Sequence, residues 1–491
     1  MNSELPLIVR HPDWVAEEVV KRLTASRLIY GFGDTYSSLI TPSSCVLDQA
    51  TATAICADLV ALRQFYRVWT DLYRAALAGD EPRWIADLCE YGLQPEEIQA
   101  QRITLAAGLE PRFCRVDYIA FGPQRVIAEV QWKSGGLGLF FGIHDVHATI
   151  VPIAGAHPGD VVGGFCALVQ ACSQDREPIA VNPVRTVWLQ GEGHLRRLLE
   201  QHGIRYLVFD RRDGARSIFE RNGTFVIADR GRLLPITFLY AQELLSALAP
   251  RTIVRLAQAA ADNRLWVETP LNYVYRQKWG MALPFIPSYA HRFTDQIRAL
   301  LGTVALLRLE NIDLSPLAAN APAPIAQQLE TVKTIDDIAN LSTAARRWLV
   351  LKCGAGSGVY YSQGRGVLRI NGSRRAAQKT LDFVKQRLAQ GEPWIVQRYV
   401  DVVYPVTICP PWAPCTFHTV QAHARFMVYA TFDTDGSPRL IGGLGNFSRH
   451  WKVSGRSAYY DERGQLSGAA FNDIRFADGA RIPQVCIPHH Q

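Results

Sequence analysis

Phe113-Cys-Arg-Val-Asp-Tyr-Ile-Ala-Phe121, then Arg125-Val-Ile-Ala-Glu-Val-Gln131 after Gly122-Pro-Gln, reads as two strands joined at a turn. Alternate residues of a strand point to the same side. Arg115 and Asp117 therefore share a face, and so do Glu129 and Gln131. Magnesium favours carboxylate, carbonyl and water oxygens around bound phosphates, which makes Glu129, Gln131 and Asp117 candidate ligands. A neighbouring arginine, Arg115, can grip a carboxylate or phosphate with two N–H groups. The same alternation also describes an ordinary half-buried strand with a polar face.

Upstream, the first 100 residues read mainly as helix. Trp14 to Leu23 and Ala52 to Leu77 place apolar residues at helical spacing. Gly31-Phe-Gly-Asp-Thr-Tyr36 has only two glycines of a dinucleotide loop and reads as structural. Downstream, Gly135-Gly-Leu-Gly138 reads as a loop. Arg185 to Leu189, Gly193 to His202 and Arg205 to Phe209 read as strand, helix and strand, a βαβ unit that favours a parallel sheet. Thr224 to Ile227 and Pro235 to Leu239 add strand candidates, and the chain turns helical after Pro250. Ser315 to Pro324 reads as an Ala- and Pro-rich loop. From Trp348 onward strands dominate: Trp348 to Lys352, Val367 to Ile370, Trp394 to Val400, Ala424 to Phe432 and Arg439 to Ile441, with a helix at Ala376 to Leu388.

Composition bounds the class. At roughly 100–200 residues per domain, 491 residues predict two to four compact units. The net charge of +7 is dispersed, with no like-charge block and no basic stripe interleaved with aromatics. This speaks against a nucleic-acid binder and suits an anion cleft or simply a mildly basic protein. Ten scattered cysteines suit reduced thiols. The N-terminus lacks the pattern of a secretion signal. Apolar runs such as Leu137 to Ile143 fall short of the about 20 residues needed to span a bilayer. The expectation is a cytoplasmic protein without a membrane partner.

Lys352-Cys-Gly-Ala-Gly-Ser-Gly358 ends a strand on a lysine and enters a glycine-rich loop. Backbone N–H groups of Gly354, Gly356, Ser357 and Gly358 can cradle phosphate oxygens, with Lys352 adding charge. A tight turn would look the same, and the lysine precedes the glycines, unlike a P-loop. Trp394-Ile-Val-Gln-Arg-Tyr-Val400 can line an adenine slot through its backbone, or serve as a core strand. Cys409, Cys415, His418 and His423 are spaced more widely than is usual for a structural zinc site, with prolines between them, and read as a proline-rich loop in preference to a metal site. No local signature of a serine or cysteine nucleophile is present.

The order of these motifs resembles the circularly permuted ATP-grasp ligases, of which eukaryotic-type glutathione synthetase and glutathionylspermidine synthetase are members. The likeness runs in patches from about residue 110 to about 450. It is carried by Arg115-Val-Asp-Tyr118, Glu129-Val-Gln131, Gly135-Gly-Leu137, Arg276-Gln-Lys278, Lys352 with its loop, and Ile395 to Val400. It implies an ADP-forming carboxylate–amine ligase using ATP and Mg²⁺, with a carboxylate and an amine as substrates and an acyl phosphate between them. Glu129 and Gln131 would be metal ligands, and Lys278 and Lys352 the ATP lysines. Gln397, Arg398, Tyr399 and Val400 would form the adenine hinge. Arg115 and Arg425, the latter in Ala424-Arg-Phe426 ahead of Gly442-Gly-Leu444, would hold the acyl phosphate.

The fold implied is α+β with an α/β part: a permuted ATP-grasp core carrying an inserted α/β substrate-binding domain behind a helical N-terminal region. Its segments are residues 1–110 (helical), 111–154 (metal-binding strands), 155–255 (substrate domain), 256–345 (helical connection with Lys278) and 346–491 (nucleotide-binding sheet and lid). A homodimer is left open. Four positions depart from the family: Gln131 stands for asparagine, Gly356 and Arg398 for acidic residues, and Phe238-Leu-Tyr240 for an Arg-Asp-Gly-Tyr signature. These argue against glutathione as the product and leave a catalytically altered nucleotide-binding protein as the alternative.

Overall fold

The computed structural model describes all residues except 1–6, 11–12, 27–38, 41–42, 121–124, 133–134, 151–155, 185–188, 211–217, 230, 241–248, 269–270, 356–365, 401, 409–417, 453–464 and 478–491. The chain mixes helix and sheet and divides into two compact units. The first comprises Met1–Ala57, Leu109–Pro270 and Val402–Gln491; the second comprises Asp58–Gly108 and Leu271–Asp401. These units cut across the segments read from the sequence, because residues 1–110 and 346–491 are each shared between both.

The first unit is built on a ten-stranded, mostly antiparallel sheet. Its main path runs Leu7–Arg10, Ser43–Leu47, Gln465–Ala477, Pro438–Lys452, His418–Phe432, Phe113–Ala120 and Val126–Gln131. Val403–Ile408 also pairs with His418–Phe432. The N-terminal segment is thus not purely helical: besides helices such as Asp13–Ala25 and Gln49–Ala78 it holds strands that join this sheet. Helices Leu137–Ile150 and Val161–Ser173 pack on the sheet through Phe113, Phe141, Phe165, Met427 and Tyr429. Leu137–Ile150 is apolar nearly all round and is buried on almost every side. This explains why an amphipathic template passes it over and leaves only an apolar run.

A four-stranded parallel sheet, ordered Trp266–Val267, Phe238–Leu239, Ile179–Val184 and Arg205–Asp210, belongs to the same unit. Helix Leu189–Gln201 makes the crossover of the expected βαβ unit. Its first strand is Ile179–Val184, however, not Arg185 to Leu189. Leu189 opens the helix, and 185–188 lie outside the described residues. Pro183 masks this strand in the sequence, since proline usually argues against a central strand. A three-stranded antiparallel sheet, Arg232–Pro235, Thr224–Asp229 and Ile218–Arg221, completes the unit.

The second unit holds a four-stranded antiparallel sheet ordered Val304–Leu306, Trp394–Arg398, Leu349–Cys353 and Val367–Arg369. Helix Arg374–Ala389, capped by the Ser373 hydroxyl accepting from Ala376 N–H, covers it through Ala377, Leu381 and Val384. Ser315 to Pro324 is not the expected loop. It contains Ser315–Ala318 and the start of Ala323–Glu330, each with proline in the first turn. There the missing N–H costs nothing. Among the described residues, no helix is long and apolar enough to cross a membrane.

One contact fixes the Gly135 to Gly138 segment. A Cβ on Gly138 would overlap the backbone of Gly191 and Glu192, so helices Leu137–Ile150 and Leu189–Gln201 approach there at backbone distance. Gly138→Ala is expected to lose about 2–3 kcal/mol of stability, the upper part of the range for overpacking. Urea denaturation followed by tryptophan fluorescence measures it, and an unchanged midpoint would contradict the contact.

Candidate functional site

In the first unit, strand pairing assembles the acidic and basic residues read from the sequence. Asp117 lies opposite Glu129 and Arg115 opposite Gln131 across one strand pair, while Met427 lies opposite Asp117 on the other side. Residues 115, 117, 129, 131 and 425 therefore share a face. Arg115 donates from Nε to Asp117 Oδ1 at 2.7 Å and from Nη2 to Asp117 Oδ2 at 2.9 Å, a fork contact with a carboxylate that is 0% exposed. The Arg115 guanidinium also lies over the Phe140 ring, 5.5 Å from its centroid. Arg425 Nη1 lies 3.4 Å from Asp117 Oδ2 and 3.8 Å from Glu129 Oε1. Gln131 Nε2 donates to Glu129 Oε1 at 2.5 Å.

Burial lifts the Asp117 carboxyl above its ordinary value, against the pull of Arg115 and Arg425. Burial works against the charge on Arg115, but the neighbouring Asp117 charge holds its guanidinium above the usual value. The arrangement can hold a hard cation at Glu129 and Gln131, or an anion at the two arginines. Asp117 has both oxygens committed to Arg115.

Two buried carboxylates that the sequence reading passed over hold this face in place. Glu192 accepts from Gly138 N–H and from the Tyr206 hydroxyl, which itself accepts from Asn182 Nδ2. Burial raises the Glu192 carboxyl. Glu268 accepts from Arg112 N–H, Phe113 N–H and Trp266 Nε1, at the start of the strand carrying Arg115. Only long-range pairing reveals these roles, and nothing local in the sequence signals them.

Burial pushes the Glu268 carboxyl up to about 8, against its three N–H donors and the nearby Arg112 charge. The native state then keeps a proton that the unfolded chain releases near the ordinary value of 4.5. Stability from this group is therefore highest in acid and falls as pH rises from about 5 to about 8. Glu268→Gln is expected to flatten that slope. Urea midpoints across this range check it, and an equally steep slope in the variant would refute it.

In the second unit, Lys352 is the penultimate residue of its strand and is 8% exposed. Its Nζ donates to Gln397 Oε1 at 2.6 Å, and Gln397 Nε2 donates to Leu301 O at 2.8 Å. Lys278 comes to the same strand end, because its backbone N–H donates to Gly354 O at 2.9 Å. A Cβ on Gly354 would press on the Trp279 Cβ at 2.7 Å, so this glycine is required by the passing chain. Gly356, Ser357 and Gly358 lie outside the described residues.

In the hinge stretch, Arg398 N–H donates to Thr303 O and Tyr399 N–H to Trp348 O. The Arg398 guanidinium lies 4.5 Å from the Trp348 ring centroid, and Arg369 lies 3.5 Å from that of Tyr399. Val400 follows the strand's last residue, Arg398. Gly442-Gly443-Leu444, which the resemblance implies is a loop, is strand. It sits inside strand Pro438–Lys452 beside a bulge at Tyr429/Ala430. Cys409 and Cys415 lie outside the described residues. Among those described, no three His, Cys, Asp or Glu side chains gather as a metal group.

No protein-family model and no curated protein matches the chain. Among solved structures it is similar to a glutathione synthetase-like effector from Globodera pallida, solved in apo form. The TM-score is 0.53 and the identity 12%, over 94% of this chain and 96% of that one. A candidate gamma-glutamylcysteine synthetase from Methylobacillus flagellatus aligns at a TM-score of 0.36 and 13% identity, over 79% of this chain and 87% of that one, too low to bear on the fold. The chain therefore has a fold like that of the glutathione synthetase-like effector.

Proposed function

We propose that the chain is an ATP-dependent carboxylate–amine ligase of the circularly permuted ATP-grasp type, forming ADP through an acyl phosphate. The observation that carries this reading is the buried Lys352 ammonium, held by Gln397, beside a strand end where the Lys278 backbone N–H donates to Gly354 O. A preorganised cation at a glycine-bearing strand end suits the phosphates of a nucleotide. The fold likeness accords with this reading and does not extend to activity.

In this reading Lys352 and Lys278 neutralise phosphate charge. Of the hinge residues, the N–H groups of Arg398 and Tyr399 are already taken, which leaves adenine to the carbonyls of the hinge and the groups of Val400. Gly356, Ser357 and Gly358 remain the proposed cradle. In the first unit, Arg115 and Arg425 orient the oxygens of the acid, and Asp117 holds Arg115 in its fork. An oxygen of the substrate carboxylate bonds to the γ-phosphorus and ADP leaves. The amine nitrogen then bonds to the acyl carbon, phosphate departs with the former carboxylate oxygen, and the nitrogen loses one proton to solvent.

Glu129 and Gln131 fit magnesium, since a carboxylate and an amide oxygen are hard donors and a cationic group, Arg425, already lies against the acid. The ion would supply charge neutralisation and positioning of phosphate oxygens. The seven described cysteines, all buried and unbridged, accord with the proposed cytoplasmic setting.

Hydroxylamine tests the reading before the amine is known, because it traps an acyl phosphate as a hydroxamate. A panel of amino acids and short peptides with ATP and Mg²⁺ is expected to give equal amounts of ADP and hydroxamate for at least one acid. ADP without hydroxamate across the panel would remove the acyl phosphate. A second reading, a nucleotide-binding protein without ligase chemistry, is favoured by Arg398, whose guanidinium packs on Trp348 where the family carries an acid. It predicts ATP binding with no ADP from any acid.

A further inference from the structure

The pairing of Asp117 with Glu129 sets two carboxylates directly opposite each other on adjacent strands. Like charges so placed destabilise a sheet unless a cation intervenes. Arg115 is forked onto Asp117, and its charge also acts on Glu129. A second cation, Arg425, lies against both acids, its Nη1 3.4 Å from Asp117 Oδ2 and 3.8 Å from Glu129 Oε1. It is delivered from a third strand, and its side chain is 47% exposed, against 0% for Asp117 and 16% for Glu129. Two carboxylates and two guanidinium groups leave the cluster formally neutral. An exposed, long side chain can withdraw, whereas the buried Arg115 fork cannot.

We propose that Arg425 is a tethered counter-cation that competes with a divalent metal for Glu129. The proposal rests on Glu129 as the metal residue of the ligase reading. Metal entry at Glu129 would displace the guanidinium by like-charge repulsion and turn it toward an anion. Arg425 would thus neutralise the acids when metal is absent and grip substrate when metal is present. Coupling of this kind makes the anion grip conditional on the metal, with no moving segment beyond one side chain.

The test uses the full chain without nucleotide or acid, with Mn²⁺ alone as the oxygen-seeking probe read by electron paramagnetic resonance. Removing the arginine charge leaves a net negative cluster. Arg425→Gln is therefore expected to bind Mn²⁺ about tenfold more tightly than the unsubstituted protein, with the gain shrinking as salt rises. Arg425→Lys, which restores a charge, is expected to return most of the affinity to its starting value. Glu129→Gln should abolish binding in either background. If Glu129→Gln abolishes binding but Arg425→Gln leaves the affinity unchanged, the competition is overturned and the metal residue stands. If Mn²⁺ binds neither the unsubstituted protein nor Arg425→Gln, or binds regardless of Glu129, both the inference and the metal assignment fall. The side chain is half exposed, so the glutamine variant should fold, and an unaltered urea midpoint confirms it.

Discussion

Lys352→Met is expected to abolish ATP turnover, lowering ADP release about 10³-fold while the protein stays folded. The lysine lies one residue before the end of an interior strand and is nearly inaccessible, with its ammonium held by the Gln397 side-chain carbonyl. Gln397 is itself fixed through its amide to the Leu301 carbonyl. The charge is therefore preorganised, and a preorganised donor at a transferring phosphoryl group contributes about 10²–10³ in rate. Methionine fills a similar volume but leaves Gln397 Oε1 without the lysine, a cost of about 1–3 kcal/mol that a folded unit survives. ADP release and a urea midpoint, measured on the same preparation, separate the two effects. Undiminished ADP release from the variant would remove Lys352 from the phosphate site. Gln397→Leu should reproduce part of the loss, because it releases the ammonium without removing it.

Arg346→Met is expected to be the most destabilising single change in the second unit, at about 4 kcal/mol. The Arg346 guanidinium is 4% exposed and has no carboxylate among its hydrogen-bond partners. It donates to the carbonyls of Ile370, Ala339, Leu341 and Gly372 and to the Thr343 hydroxyl. Ala339 and Leu341 lie at the end of helix Asp337–Asn340, where carbonyls lack helical partners. Ile370 and Gly372 lie in the turn leading to helix Arg374–Ala389. One side chain therefore satisfies carbonyls at the end of one helix and in the turn before another. Removing it strands several buried acceptors at about 1–3 kcal/mol each before relaxation and water entry reduce the sum. Arg346→Lys keeps the charge but cannot reach four carbonyls from one nitrogen, and should recover less than half of the loss. Urea denaturation reports the change, and a midpoint within about 0.5 kcal/mol of the unsubstituted protein would contradict this role.

Much of the fold was legible where one periodicity dominated. The Phe113–Ala120 and Val126–Gln131 strands, helix Arg374–Ala389 and the Leu349–Cys353 strand follow from alternation or helical spacing within a single segment. Strands His418–Phe432 and Pro438–Lys452 run well beyond their apolar centres. Their outer halves carry histidine, glutamine, serine and asparagine, so pattern alone ends them early. Ile179–Val184 was hidden by Pro183, and Leu137–Ile150 by being apolar on every side. The division of the chain was the least legible feature, since strands Val403–Ile408, His418–Phe432, Pro438–Lys452 and Gln465–Ala477 join the sheet begun by Leu7–Arg10. No local signal reports which sheet a strand joins.

The site was legible as residue types and not as partnerships. Spacing placed Asp117 among magnesium ligands, but geometry gives both its oxygens to Arg115. The resemblance placed Gln397 in an adenine hinge through its backbone, and the structure adds that its side chain holds Lys352. Gly354 looked like a phosphate glycine, and the passing Trp279 chain also requires it. In each case the deciding partner lies on another strand or segment, where sequence distance hides it. Glu192 and Glu268 had no motif at all, and only burial with their N–H and hydroxyl donors identifies them as anchors.

The central claim is tested most directly by following ATP with ³¹P nuclear magnetic resonance while the protein is offered pairs of acids and amines with Mg²⁺. Ligase chemistry through an acyl phosphate predicts ADP and inorganic phosphate in equal amounts, formed only when acid and amine are both present, and absent with Lys352→Met. ATP left intact across the panel, or AMP and pyrophosphate in place of ADP and phosphate, would contradict it.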